Sequence, residues 1–376
     1  HKSNPLFALP MYYPLFYYKG DDDSVDPLVE NRQKAVVGLI RIQFLKRFES
    51  SPFAFQESCV KLLGKLVAFI EKNSPQEKDK NRLYKWRQIH GEAIDWAMKQ
   101  GDLLDEGEDE GDNIYTPEML EAAEGLDPDE FRVDEMLDET YLDMDQLAVF
   151  IAELKKFQPK HDDKLQALLR LLKKDKVLSK HKILIFTEYQ TTAKYLKREL
   201  EKSGLTHIDQ VDSSTKDNRA DIIRRFAPYY NDSNSGALAE KGIQETRILI
   251  ATDVLSEGLN LQDATRLINY DLHWNPVRLM QRIGRVDRRM DPAVEVQIVK
   301  DHPDQKTIRG NVAYWNFLPP DELDRLLRLY ALVSHKVLKI SKTFGIEGKR
   351  LLTPEDDYEA LRDFTHEYEG EVTTRE

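Results

Sequence analysis

The chain changes character according to the period of its apolar positions. Residues 1–26 mix aromatic side chains with a turn at Lys19-Gly20 and the acidic triplet Asp21-Asp22-Asp23, and they show no sustained period. From Leu28 to about Glu49, Val36, Val37, Leu39, Ile40, Phe44, Leu45 and Phe48 recur near helical spacing. Pro52 marks the break before a second helical run to about Asn73, and a third helix is predicted from Glu77 to Lys99, stopped by Gly101. Residues 1–101 are therefore expected to form a helical accessory region. Leu165, Leu168, Leu169, Leu171 and Leu172 predict a further helix, after which short apolar runs begin. Lys182–Phe186, His207–Val211, Arg247–Ala251 and Arg266–Tyr270 have strand length, and helical patterns fill Thr191–Lys202, Asp217–Phe226 and Pro276–Ile283. Strands that alternate with helices predict an α/β unit, a parallel sheet with helices on both faces, over residues 146–318. Past Pro320, Leu323, Leu326, Leu327, Val333, Val337 and Ile340 predict a long amphipathic helix, the core of a helical extension over 319–376. No period of 20–50 residues repeats, which excludes a solenoid.

Ligands of parallel sheets gather at the carboxyl ends of the strands. Here each strand is followed by polar or small residues: Thr187-Glu188, Asp212-Ser213-Ser214-Thr215, Thr252-Asp253 and Asp271.

Charge sharpens the picture. The formal net charge of −12 argues against a nucleic-acid partner, but the excess is local. Between Asp102 and Asp145 lie 19 Asp and Glu against one basic residue, Arg132, so the rest of the chain carries about +6. Residues 102–145 are expected to be a flexible acidic insertion, or, in a functional reading, a mimic of nucleic acid that occupies a basic groove. One cysteine, Cys59, forms no internal disulfide, and no apolar run reaches the roughly 20 residues of a membrane-spanning helix. A reduced, cytoplasmic protein with no membrane partner is expected. The start at His1-Lys2-Ser3 reads as that of an excised fragment.

The most informative segment is Gln281-Arg282-Ile283-Gly284-Arg285-Val286-Asp287-Arg288. Three arginines at intervals of three share one face of a helix, their planar forks suit phosphate oxygens, and Gly284 leaves room for a backbone or a phosphate. Alone, the cluster would be an ordinary basic surface helix. Upstream, however, Ala251-Thr252-Asp253-Val254-Leu255-Ser256-Glu257-Gly258-Leu259-Asn260-Leu261-Gln262 leaves a buried strand through small polar residues into a glycine turn. Asp253 and Glu257 are read as groups that order this loop.

Together with the strand Ile183–Phe186, these stretches resemble, in order and separation, the second RecA-like lobe of superfamily-two helicases and translocases, over about residues 160–300. Asp271-Leu272-His273-Trp274-Asn275-Pro276 resembles the Swi/Snf branch, and Ser213-Ser214-Thr215 its Gly-Ser-Thr turn with Ser213 in place of the glycine. Ser256-Glu257-Gly258 and Arg285-Val286-Asp287-Arg288 are similar to the bacterial group of the RNA-polymerase-recycling ATPase and phage-defence helicases. The resemblance implies a RecA-like fold and arginine fingers at Arg285 and Arg288 that reach the γ-phosphate of ATP held by another lobe. It also implies nucleotide-side positions at Gly258, Asn260, Gln281 and Arg282, and contacts to the tracked strand's phosphates from Thr187, Ser214, Thr215, Thr252 and Ser256. Trp274 is implied at the nucleic-acid face, its alternative being a core position.

No Gly-x-x-x-x-Gly-Lys-Ser/Thr occurs, no Asp-Glu pair follows a strand, and Gly64-Lys65 is followed by Leu66 inside a helical run. ATP and Mg2+ would thus be held mainly by a first lobe that this sequence lacks, and the fragment alone is expected to be inactive. Double-stranded DNA is the expected partner. An RNA helicase lobe and a non-catalytic protein-docking module are the alternatives. Scattered histidines and a single cysteine point to no zinc site.

Overall fold

The computed structural model describes residues 6–20, 25–74, 76–102, 126–213, 215, 219–253, 260–273 and 276–318. It holds a helical region followed by a parallel sheet. Helix α1 (Pro27–Ser50) starts at an Asp26 cap whose carboxylate accepts from the Leu28 amide, with Pro27 in the first turn. It stops at Ser51, which in turn caps α2 (Pro52–Asn73) by accepting from the Ala54 amide. The predicted break at Pro52 is therefore a one-residue corner. Helix α3 (Glu77–Asp102) and helix α4 (Val133–Lys156) complete the region.

Helix α4 corrects the expected acidic insertion. From Val133 to Asp145 the chain is helical, and Met136, Leu137, Tyr141 and Met144 are buried against residues of α2 and α3 such as Leu62, Leu66 and Trp86. The acids Asp134, Glu135, Asp138 and Asp145 occupy the exposed face. A count of charge hides this, because acidic and apolar positions interleave at helical spacing. The boundary expected at 146 also falls inside α4, whose Leu147, Ala148 and Ile151 belong to the helical core. The acidic residues of 103–125 lie outside the described residues, as does the extension expected over 319–376.

One carboxylate of α4 is turned inward. Asp143 accepts from the amides of Ala8 (2.8 Å) and Leu9 (2.7 Å) and so pins the N-terminal segment, where short turns precede α1, onto the helix. Burial raises its pKa to about 6. Asp143→Ala leaves two amides without an acceptor and is expected to cost about 2–4 kcal/mol in urea unfolding. A loss below 1 kcal/mol would show that the segment is held by Phe7 and Leu9 packing alone.

The sheet comprises β1 (Ile183–Phe186), β2 (Ile208–Val211), β3 (Ile248–Ala251), β4 (Arg266–Asn269) and β5 (Ala313–Asn316), all parallel in the order β2-β3-β1-β4-β5. On one face pack Leu165, Leu168 and Leu172 of α5 (Asp163–Lys174) with Tyr195, Leu196 and Leu200 of α6 (Gln190–Lys202). On the other lie Ile222, Ile223 and Phe226 of α7 (Arg219–Phe226), with Ile283 and Val286. Because both faces are covered, Ile183–Phe186 and Ile248–Ala251 are buried at every position. A short helix α8 (Ser235–Glu240), helix α10 (Pro292–Asp301) and β5 were not among the predicted elements. Between α8 and α10, helix α9 (Pro276–Ile283) carries Arg282 and leads into the turns of Arg285 and Arg288.

Strand order decides where a site can form. Chain connections leave β1 toward β2 on one side of the sheet and β4 toward β5 on the other, so the switch point lies at the carboxyl ends of β1 and β4. Register places Phe186 beside both Ala251 and Asn269. The next residues, Thr187, Thr252, Tyr270 and Asp271, therefore share one edge.

Candidate nucleotide and nucleic-acid site

Asp271 is the hub of that edge. Its carboxylate is 1% exposed and accepts from four donors: the Thr187 hydroxyl, the Glu188 amide (3.0 Å), the Ser50 hydroxyl (2.8 Å) and the Lys164 ammonium (2.9 Å). Burial pushes the pKa of Asp271 up. The Lys164 charge and the Thr187 and Glu188 donors outweigh burial and leave it below the usual carboxylate range. Lys164 also donates to the Glu49 carboxylate (2.8 Å) and carbonyl (3.1 Å). Burial alone would depress its pKa, but the two carboxylates raise it.

The backbone carbonyl of Asp271 accepts from Arg282 Nη1 at 2.9 Å. Arg282 is 2% exposed and chelates Asp253, Nε to Oδ1 at 2.6 Å and Nη2 to Oδ2 at 3.0 Å, with its guanidinium over the Phe186 ring. It thus ties the ends of β1, β3 and β4 to α9. Burial works against ionised Asp253, but Arg282 prevails and lowers its pKa. The bidentate pair fixes Asp253 just past β3, and the loop it was expected to order, residues 254–259, lies outside the described residues.

The arginines do not share one helix face. Helix α9 ends at Ile283, and Arg285, Val286, Asp287 and Arg288 lie in the turns that follow, with the Arg285 amide donating to the Arg282 carbonyl at 3.1 Å. The reason is local. Val286 turns into the core below the sheet, and Gly284 closes on its own helix, where an added Cβ would stand 3.2 Å from the Met280 carbonyl oxygen. The close approach expected at Gly284 is made there by a backbone carbonyl. Arg285 is 9% exposed. Arg288 is exposed, and it donates to the Gly284 carbonyl (3.1 Å) and to Asn260 Oδ1 (3.3 Å). Asn260 and the arginine turns, far apart in sequence, are thus neighbours, and Gln281 is exposed on α9.

Among the hydroxyl positions, Thr187 is wholly buried and bonded to Asp271. Thr252 is 6% exposed, and its hydroxyl makes no hydrogen bond among the described residues. Thr215 closes a local turn with Asp212. Ser214, Ser256, Gly258 and Trp274 lie outside the described residues. Among the described residues no group of three or more His, Cys, Asp or Glu is placed to hold a metal ion.

Sequence reasoning missed the polar joint around this edge. The Ser50 and Ser51 hydroxyls each lie 2.7 Å from Thr192 Oγ1, Thr191 donates to Glu57, and Lys46 stands 3.7 Å from Glu188. Burial raises the pKa of Glu188 to about 7 against the pull of Lys46 and Arg282, and burial with Arg282 lowers that of His273 to about 3. His273 is therefore neutral. Glu188 holds its proton more tightly folded than unfolded, so the stability this gives is full below pH 4.5 and is lost as pH rises through about 7. Glu188→Gln is expected to remove this drift. Urea unfolding of the two proteins at pH 5 and pH 7.5 should show the wild type losing about 2 kcal/mol relative to the variant.

Residues 163–290 match the family model described as helicase conserved C-terminal domain. The uncharacterized ATP-dependent helicase YqhH of Bacillus subtilis is 28% identical over 251 residues, 63% of this chain and 41% of that protein. RNA polymerase-associated protein RapA of Vibrio cholerae is 34% identical over 121 residues, 31% of this chain and 11% of that protein. The chain thus spans less than half the length of these curated relatives. A solved structure, the C-terminal part of the Fun30 ATPase domain, aligns over 73% of this chain and 84% of that chain at 17% identity and a TM-score of 0.32, too slight a likeness to argue from. The matched segment opens at α5, takes in β1 to β4 and closes just past the arginine turns, and residues 163–290 are a helicase conserved C-terminal domain.

Proposed function

We propose that this chain is the second motor lobe of a Swi/Snf-like ATP-dependent translocase that tracks double-stranded DNA in the cytoplasm, and that it works only with a first lobe that binds ATP and Mg2+. The observation that supports this most is the clamp of Arg282 on Asp253 and on the Asp271 carbonyl, which fixes the turns of Arg285 and Arg288 beside Asn260 at the switch point of the sheet. Bound ATP supplies the phosphoryl group whose charge grows in the transition state. Arg285 and Arg288 are the groups of this chain that stabilise that charge, while Gly258, Asn260, Gln281 and Arg282 line or support the nucleotide side. Mg2+ would be held by residues of the first lobe.

On the neighbouring edge, Thr215 and Thr252, with Ser214, Ser256 and Trp274, take the DNA strand. A buried hydroxyl that makes no hydrogen bond among the described residues, as in Thr252, is suited to donate to a phosphate oxygen. Thr187 serves through Asp271, since its own hydroxyl is occupied. In a protein carrying both lobes, duplex DNA is expected to stimulate ATP turnover at least about tenfold, and Thr252→Ala to lower the stimulated rate several-fold more than the basal rate. Stimulation by single-stranded RNA alone would replace the DNA reading with that of an RNA helicase, and equal losses of both rates would remove Thr252 from the strand path.

A further inference from the structure

We propose that Asp271 is a positioning residue that ties the arginine turns to the helical region, so that the corner between α1 and α2 sets how Arg282 holds Arg285 and Arg288. The inference rests on the reading of those turns as the part of the lobe that completes an ATP site.

The Asp271 carboxylate receives two donors from its own lobe's β1 loop, Thr187 and Glu188, and two from elements that precede the sheet. Of the latter, Ser50 is the last residue of α1, and Lys164 in the first turn of α5 is itself held by Glu49 of α1. Three of the four donors, Thr187, Glu188 and Ser50, converge on Oδ2 and Lys164 holds Oδ1, so a rotation of the carboxylate breaks bonds to both sides at once. On the backbone of the same residue, the carbonyl accepts from Arg282. The α1–α2 corner is thus joined to the guanidinium that fixes the arginine turns through one residue.

The corner cannot swing independently. Ser50 and Ser51 share Thr192, Thr191 donates to Glu57 of α2, and Arg47 lies over the Tyr189 ring 4.8 Å from its centroid. A joint of apolar side chains would give cohesion at a lower desolvation cost than the buried carboxylates of Glu49 and Asp271 and the half-buried one of Glu188, with Lys46 and Lys164. What the polar joint adds is direction. Its bonds hold only in one orientation of the helical region, and that orientation is passed to Arg282. A helical region that shifts, for instance on meeting another part of the motor, would move the arginine turns.

The test uses two variants, Lys164→Met and Ser50→Ala, with Lys164→Arg as the conservative control. Hydrogen exchange of the Gly284, Arg285, Val286 and Asp287 amides, all hydrogen-bonded in the turns, is measured beside that of the β1 and β3 amides. Lys164→Met is expected to speed exchange of residues 284–287 about tenfold, and Ser50→Ala several-fold, with the sheet amides unchanged. In a protein with both lobes, ATP turnover should fall about tenfold with KM for ATP retained, and Lys164→Arg should recover most of both losses. If Lys164→Met does not fold, Ser50→Ala decides. Unchanged exchange at 284–287 in a folded variant overturns the proposal. Faster exchange there, in a protein whose turnover is also indifferent to Arg285→Ala and Arg288→Ala, upholds the positioning role and overturns the ATP-site reading instead.

Discussion

In a protein that carries both lobes, Arg285→Ala and Arg288→Ala are each expected to lower ATP turnover by roughly three orders of magnitude, the scale attached to a guanidinium that meets transition-state charge on a transferring phosphoryl group. The two are placed differently. Arg288 is exposed and, among the described residues, is held by the Gly284 carbonyl and a long bond to Asn260, which suits a side chain that extends toward a second lobe. Arg285 is 9% exposed, which suits a shorter reach. Steady-state hydrolysis, with circular dichroism to confirm folding, checks the expectation, and the variant with the larger kcat loss at unchanged KM identifies the main finger. Undiminished turnover in both would place the ATP-facing charge elsewhere.

The second large effect is on stability. Arg282→Ala removes a buried guanidinium and leaves the Asp253 carboxylate and the Asp271 carbonyl without their donors, so a loss of about 3–5 kcal/mol is expected in urea unfolding. Arg282→Lys should recover little, because one ammonium cannot span two carboxylate oxygens and a carbonyl with the fork's geometry. Asp253→Asn should cost less than Arg282→Ala, since Asp253 is partly open to water and a neutral amide keeps one acceptor. A loss under 1 kcal/mol for Arg282→Ala would mean that the clamp is not a joint at all.

The lobe was largely legible. Runs such as Lys182–Phe186 and Arg247–Ala251 were read as strands because a sheet covered on both faces needs apolar residues at consecutive positions, and each boundary shifted by no more than one residue. Strand β5 was missed since Ala313–Asn316 carries polar and aromatic residues at a sheet edge, where that demand is relaxed. In α4 a run of acids disguised a helix, because charge was counted by segment when what mattered was which face each charge took. The arginine segment was found, but its shape was not: an interval of three gathers side chains only while the helix lasts, and this helix stops at Ile283. Asp271 was noted only as a polar residue after a strand. Its partners Ser50 and Lys164 stand 221 and 107 positions away, and no local pattern announces a hydrogen bond of that span.

The order β2-β3-β1-β4-β5 also bears on how the chain is made. Among the described residues the helical core draws its buried side chains from Phe7 to Ile151, all made before the first strand emerges from a ribosome. Strand β1 follows at once, yet it is the middle of the sheet, and its two neighbours are Ile248–Ala251 and Arg266–Asn269. At roughly 5–20 residues per second the nascent chain holds Ile183–Phe186 without a partner on either edge for several seconds. During that interval the most apolar four-residue run of the lobe is a bare template for strands of other chains. Helices α5 and α6, both made before β3, can cover one face of that run in the meantime, but neither of its edges.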